Sequence, residues 1–294
     1  MVKAFTLKAY AKINLGLTVL ASREDGYHDL QSVMQQVSLS DTLLFEQASG
    51  KGCNFLCTDK RLSGSENLVS RAAAILQHRA GKDLSGVKIT LFKNIPVEAG
   101  LAGGSADAAA ALIGLNRYWS LNLDDKTLLD IGAMLGSDVP FCLHGGTALA
   151  RGRGEILQKL PPLPFFWVVL AVPKDTAIST ASAFNSFDKT KMGEPSVKPL
   201  VEAIERGSKK DILSWCARGF TNTLETAVLP QSGELKSIKE SLKKAGFSPA
   251  LSGSGPAMFI LTKNYREARD AAFFVEQENA RVYLCWITSG SKEW

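Results

Sequence analysis

The 294-residue chain is poor in the residues that usually hold metals, with five cysteines and three histidines. Cys53, Cys57, Cys142, Cys216 and Cys285 include no C-x-x-C pair, and His28, His78 and His144 stand at none of the spacings zinc prefers. Reduced, structural thiols are therefore expected rather than a metal centre. Long apolar runs are scarce as well. The charge-free run Leu160 to Pro173 has fourteen residues, four of them proline, whereas a membrane-spanning helix needs roughly twenty apolar residues. The first residues form neither a secretory signal nor an Arg/Ser-rich transit segment, so a cytoplasmic protein with no membrane partner is expected. Internal repeats and low-complexity tracts are missing. So are basic runs longer than two, although the net charge is +5 and residues 151–294 hold 20 Lys/Arg against 15 Asp/Glu. That excess suits a small phosphorylated ligand at least as well as nucleic acid, for which the aromatic-interleaved basic clusters are lacking.

What the chain does have is ordinary globular composition, 45% hydrophobic and 21% charged, enough for one large or two medium cores. Tyr10 to Val19 alternates, with Ala11, Ile13, Leu15, Leu17 and Val19 on one side and Lys12 and Asn14 on the other, the period of a half-buried strand. Further strands are expected at Val33–Val37, Thr42–Glu46, Cys53–Cys57 and Val87–Phe92. Helices are expected at Glu66–Arg79 behind a Ser65 cap, at the alanine-rich Gly104–Trp119 and at Asp124–Leu135, and a hairpin around Arg151-Gly152-Arg153-Gly154. Pro161-Pro162-Leu163-Pro164 can continue neither a helix nor a central strand and marks a domain boundary near 160. Beyond it, strands at Phe165–Val172, Ala257–Thr262 and Arg281–Thr288 alternate with helices around Thr176–Ser186, Pro199–Arg206, Asp211–Arg218, Ser232–Ala245 and Tyr265–Gln277, with a polar loop before Pro199. This is α+β order, a sheet with helices on one face.

Two glycine loops and one aspartate stand out. Pro96-Val97-Glu98-Ala99-Gly100-Leu101-Ala102-Gly103-Gly104-Ser105-Ala106 lies between a strand and the alanine-rich helix, so unpaired N–H groups and the positive end of the helix dipole face the loop. It is a candidate phosphate cradle, or a turn that only starts a helix. Neither the Walker nor the dinucleotide spacing fits it. Leu251-Ser252-Gly253-Ser254-Gly255-Pro256 reads by itself as a turn. Gly136-Ser137-Asp138-Val139-Pro140-Phe141 closes one helix, and Asp138 could cap the next. A lysine, an aspartate and a glycine loop together are what phosphoryl transfer needs for charge neutralisation, proton acceptance and positioning.

Ala11-Lys12-Ile13-Asn14-Leu15, the Pro96 to Ala106 loop and Leu251 to Pro256 resemble, in order, the three motifs of the galactokinase, homoserine kinase, mevalonate kinase and phosphomevalonate kinase (GHMP) superfamily. Asp25-Gly26-Tyr27-His28-Asp29-Leu30 and the Gly136 to Phe141 segment are similar to its branch that acts on a small cytidyl diphosphate substrate. The resemblance implies a two-domain fold, an N-terminal domain like ribosomal protein S5 over 1–160 and a ferredoxin-like C-terminal domain over 161–294. It further implies ATP on the glycine loop as phosphoryl donor, with Mg²⁺, and an acceptor entering from the opposite side. Asp138 would be the base and Lys12 its partner. Asn14 would bind substrate, as would Tyr27 and His28 at the cytosine, with Phe184 across the stack and Thr180 nearby. A monomer or weak homodimer is expected.

The family loop has glycine where this chain has Ala102 and serine where it has Ala106. Ala102 fits only with a negative backbone φ, and the missing hydroxyl at Ala106 leaves the metal ligands open. A side chain at Gly103 is expected to crowd the phosphates. The rival readings are a sister kinase for homoserine or mevalonate, which lacks the Tyr27-His28 pair, a sugar sensor, which would not need both Lys12 and Asp138, and a nucleic-acid binder.

Overall fold

Alternation at the start of the chain does produce a strand, and one longer than expected: β1 (Ala4–Ser22) pairs antiparallel with β2 (His28–Lys51), from Ala4 opposite Glu46 to Ser22 opposite His28. The computed structural model describes residues 4–81, 84–176, 178–187, 196–218 and 221–290. Most of the expected polar loop before Pro199 lies outside them. The two short strands expected at Val33–Val37 and Thr42–Glu46 are one strand, because the polar residues between them have distant partners. Ser38 accepts the Trp286 N–H, and buried Asp41 accepts the amides of Asn94 and Ile95.

The chain continues through β3 (Cys53–Cys57), α1 (Leu68–Ala80) and β4 (Ser85–Phe92), with β3 and β4 parallel across the helical crossover. Asn67, not Ser65, caps α1: its Oδ1 accepts the Val69 N–H at 2.9 Å, while Ser65 turns to Glu66. Then come α2 (Gly103–Tyr118), α3 (Asp125–Leu135), α4 (Val139–His144), β5 (Thr147–Arg151) and β6 (Ile156–Lys159). The first sheet runs β3-β4-β2-β5-β6, with β1 also on β2. Its core packs Leu43, Phe45, Ile89 and Leu91 against Val69, Leu76 and the alanines of α2. Those small side chains let α2 lie close: a Cβ on Gly114 would stand 2.1 Å from the Phe45 ring.

The second sheet begins at β7 (Trp167–Pro173). It is followed by α5 (Thr180–Asn185), α6 (Lys198–Glu205), α7 (Lys209–Ala217), α8 (Glu225–Val228) and α9 (Gly233–Lys244). The remaining elements are β8 (Ala250–Leu251), β9 (Met258–Thr262), α10 (Tyr265–Glu276) and β10 (Ala280–Trp286), and the sheet order is β10-β7-β9-β8. Helices cover both faces, not one. Val169, Ala171, Met258 and Ile260 pack under α9 and α10. Val168, Leu170 and Phe259 face the other way, into a core with Leu200 and Trp215 of α6 and α7 and with Ile13 and Leu15 of β1. A strand as apolar as β7 has no face to give to water, so it needs cover on both. That second core joins the two sheets, and an antiparallel bridge from Val37 to Ile287 lies beside it.

All five cysteines are free thiols, and burial pushes those of Cys216 and Cys285 up to about 12. Among the described residues no helix is long and apolar enough to cross a membrane.

Candidate active site

A β-bulge opens the site. The pairing of β1 with β2 slips between Tyr10 and Lys12, and the Lys12 N–H donates to Leu101 O at 3.1 Å, so the strand grips the first glycine loop by its backbone. The polar side of β1 is not solvated as its alternation suggested: Lys12 is 4% exposed and Asn14 1%. An ammonium so buried needs acceptors for its three protons. Lys12 Nζ donates to Asn14 Oδ1 at 2.8 Å and to Gly100 O at 3.0 Å, and lies 3.6 Å from Asp138 Oδ2. Asn14 in turn donates to Ser32 Oγ, which donates to Gly16 O. Asp138 occupies the N-cap position of α4, yet its side chain makes no capping hydrogen bond and stays about a third exposed. The carboxylate is thus left to Lys12 on the Oδ2 side and to solvent.

The second glycine loop closes this site from behind. Ser252 Oγ donates to Gly100 O at 3.0 Å, the same carbonyl that Lys12 uses, and the Ala257 N–H donates to Ala99 O. Gly100 and Gly253 both have positive φ, at +74° and +56°. A Cβ on Gly253 would lie 3.2 Å from Lys12 Nζ and 3.4 Å from Asn14 Oδ1, so only glycine lets the backbone come this near. The bland reading of Leu251 to Pro256 as a turn misses this contact. Thr180 Oγ1 reaches Ser254 Oγ at 3.0 Å and ties α5 to the same loop.

The first loop leads into the sixteen-residue α2, whose open amides start at Gly103. Ala102, expected at negative φ, instead has φ +56° and ψ 31°. An alanine in that region carries about 1–2 kcal/mol of strain. It is held there because Leu101 O takes the Lys12 N–H on one side and Ala102 O takes the Ala106 N–H on the other. The Gly103 expectation is also corrected, since a Cβ there would meet Ile95 Cγ2 at 3.0 Å and Lys93 Nζ at 3.3 Å, inside the fold. Beneath the loop, Lys93 Nζ bonds both Asp41 and Asp107. Two carboxylates share one ammonium here, and Asp107 Oδ1 is buried with no hydrogen-bond partner among the described residues. Burial first, with the charge of Asp41 adding to it and Lys93 opposing, pushes the Asp107 carboxyl up to about 8.

Tyr27 closes the turn between β1 and β2, and His28 opens β2. The rings of His28 and Phe184 lie 5.5 Å apart at 33°. Phe184 rests on Leu17, Val19 and Leu224. Tyr27 is half exposed, with the Arg153 guanidinium 4.7 Å over its ring. In the sequence Arg153 stands only in a turn, and neither motif nor periodicity marks Ser32, Lys93, Asn222 or Glu225 as part of the site. Ser32 shares a side of β2 with Leu30 and Met34, and a polar residue amid such a spacing of apolar ones is the signal available in the sequence.

Two family models match the chain: GHMP kinases N terminal domain over residues 67–146 and GHMP kinases C terminal over 200–281. A 4-diphosphocytidyl-2-C-methyl-D-erythritol kinase of Moorella thermoacetica is 45% identical over 91% of this chain and 93% of its own. One from Caldanaerobacter subterraneus subsp. tengcongensis is 44% identical over 86% of each. A crystal structure of 4-(cytidine 5'-diphospho)-2C-methyl-D-erythritol kinase superposes with a TM-score of 0.82 at 34% identity, covering 97% of this chain and all of that one. The homoserine kinase of Cytophaga hutchinsonii has the same fold, with a TM-score of 0.75 at 20% identity over 98% and 96% of the two chains.

Proposed function

The chain belongs to the GHMP kinases, and on that premise we propose that it transfers the terminal phosphoryl group of ATP to the 2-hydroxyl of 4-diphosphocytidyl-2-C-methyl-D-erythritol, a step of non-mevalonate isoprenoid biosynthesis. The observation that carries this reading is the Lys12–Asp138 pair at the mouth of the glycine loop, with the Asp138 carboxylate unused as a cap. Asp138 takes the proton of the acceptor hydroxyl as its oxygen bonds to the γ-phosphorus. The bond from that phosphorus to the bridging oxygen breaks, and ADP leaves with the electron pair. Lys12 orients Asp138 and stabilises negative charge on the transferring group. The loop from Pro96 to Ala106 and the N-terminus of α2 hold the phosphates through backbone amides.

Mg²⁺ suits this site as a cation carried in by the triphosphate, since among the described residues no three His, Cys, Asp or Glu side chains gather to hold a metal and Mg²⁺ keeps phosphate and water ligands. When bound it neutralises charge on the phosphate oxygens. Tyr27, His28 and Phe184 take the cytosine, Thr180 lies beside them, and Asn14 contacts the acceptor. We also place the domain division at Pro161 to Pro164 and the protein in the cytoplasm, as a monomer or weak homodimer. ADP release measured with the cytidyl substrate, homoserine and mevalonate side by side tests the assignment. Turnover confined to the cytidyl substrate is expected, and preference for either of the others overturns it.

A further inference from the structure

The second glycine loop is held by side chains that none of the three motifs contains. Asn222, fully buried, donates from Nδ2 to Leu251 O at 2.9 Å and to Gly253 O at 2.7 Å, while its Oδ1 accepts the Leu224 N–H at 3.0 Å. Glu225 Oε1 accepts the Leu251 N–H at 2.8 Å, and its Oε2 bonds Lys239 Nζ of α9. Glu225 is 3% exposed and Lys239 4%. Burial pulls the Lys239 ammonium below the usual lysine range, with Glu225 opposing. A charged pair this deep is a poor stabiliser, and an apolar pair of similar volume would serve the core as well or better. Its other contact explains it: Leu251 leads into Ser252 and Gly253, which touch Gly100 O and Lys12. The same segment is laced to the strand that carries Lys12. The Leu17 N–H donates to Thr221 O at 2.8 Å, the Thr223 N–H to Leu17 O at 2.9 Å and the Val19 N–H to Thr223 Oγ1 at 2.9 Å.

We infer that Asn222, Glu225 and Lys239 are positioning residues for phosphoryl transfer, a strap that sets the distance between the second glycine loop and the Lys12–Asp138 pair. The inference rests on the kinase reading of that pair and is indifferent to which acceptor is used. The Glu225–Lys239 arm of the strap bonds the second glycine loop, so its loss lowers kcat and leaves both KM values in place, whereas Asn222 also holds Leu224 beneath Phe184.

Two double variants separate positioning from plain stability, because neither leaves a buried charge alone. Glu225→Gln with Lys239→Met keeps a carbonyl for the Leu251 N–H, and Glu225→Leu with Lys239→Met removes it. Each is assayed with whichever acceptor the parent phosphorylates, so a wrong substrate assignment appears in the parent and not in the comparison. The folded fraction is taken from thermal melting, and the competent fraction from stoichiometric ATP binding. The Gln/Met chain is expected to keep kcat within about threefold of the parent. The Leu/Met chain loses about 10- to 100-fold, the effect of displacing a reacting geometry by about an ångström. Its KM values for ATP and acceptor stay within about threefold. Parental kcat in a folded, ATP-competent Leu/Met chain overturns the inference, and so does an equal loss in both chains. Asn222→Ser, which drops both bonds to the loop without adding charge, is read by kcat and the KM for ATP because it also disturbs Leu224 beneath Phe184, and it decides the matter if the Leu/Met chain does not fold.

Discussion

Gly100→Ala concentrates the physics of the site in one methyl group. The residue has φ +74°, and a Cβ built on it would stand 2.2 Å from Ser252 O, 3.0 Å from Gly255 N and 3.1 Å from Gly255 O. All three atoms are backbone, so no rotamer change relieves the contact. Ordinary contact begins at 3.4 Å, so the two loops must part by about 1 Å. Left-handed alanine costs about 1–2 kcal/mol and overpacking about 1–3, together about 2–5 kcal/mol. At about 2–4 °C per kcal/mol for a chain of roughly this size, the melting temperature should fall by about 4–20 °C. The separation also pulls Gly100 O from Lys12 and from Ser252, which should lower kcat by about 10- to 100-fold. Differential scanning calorimetry and an ADP-release assay measure both effects. Gly104→Ala is the control, since its added Cβ meets only Leu68 Cδ1 at 3.9 Å, and it should melt within about 2 °C of the parent. A Gly100→Ala protein that melts and turns over like the parent would refute the account of how the loops meet.

Asp138→Asn should lower kcat by about 10²- to 10⁴-fold with ATP affinity by calorimetry unchanged, because the amide cannot accept the hydroxyl proton; parental kcat would remove Asp138 from the role of base. Tyr27→Ala and Phe184→Ala should each weaken the cytidyl substrate about 5- to 150-fold, the worth of a base stacked on an aromatic ring, and spare ATP. A lowered melting point with no selective loss of substrate would instead make these rings packing residues. With burial raising the Asp107 carboxyl to about 8, the cluster it forms with Asp41 and Lys93 holds a proton that the unfolded chain loses from about 4. The native state therefore binds more protons between those values, and stability falls as pH rises through that window and then levels off. Asp107→Asn should flatten that slope in melting curves taken from pH 5 to 9, and parallel curves for the two proteins would contradict it.

The strand bearing Lys12 and Asn14, the alanine-rich helix and both glycine loops were legible because each depends on local chemistry: period-2 alternation, helix propensity and glycine's backbone freedom. The remainder depends on partners far along the chain. Ser40 and Asp41 read as a break between strands until the amides of Asn94 and Ile95 supply Asp41 with donors. Lys239 sits in the helix expected at Ser232–Ala245, and its acceptor is fourteen residues away on another helix. Ala102 escaped because a rule against left-handed alanine holds on average, whereas here two backbone hydrogen bonds fix the residue from both sides. The cover on the second face of the β7 sheet was hidden for a related reason: continuous apolar sequence shows that a strand is buried and not what buries it.

The core that joins the sheets makes the proline-rich connector a poor place to cut. Ile13 and Leu15 from the first half and Val168, Leu170 and Phe259 from the second fill one another's space. Expressed alone, either half would present that apolar face to water and invite self-association. Because that core is shared, heating or denaturant is expected to yield a single transition in which both sheets melt together, and two separated transitions would contradict it.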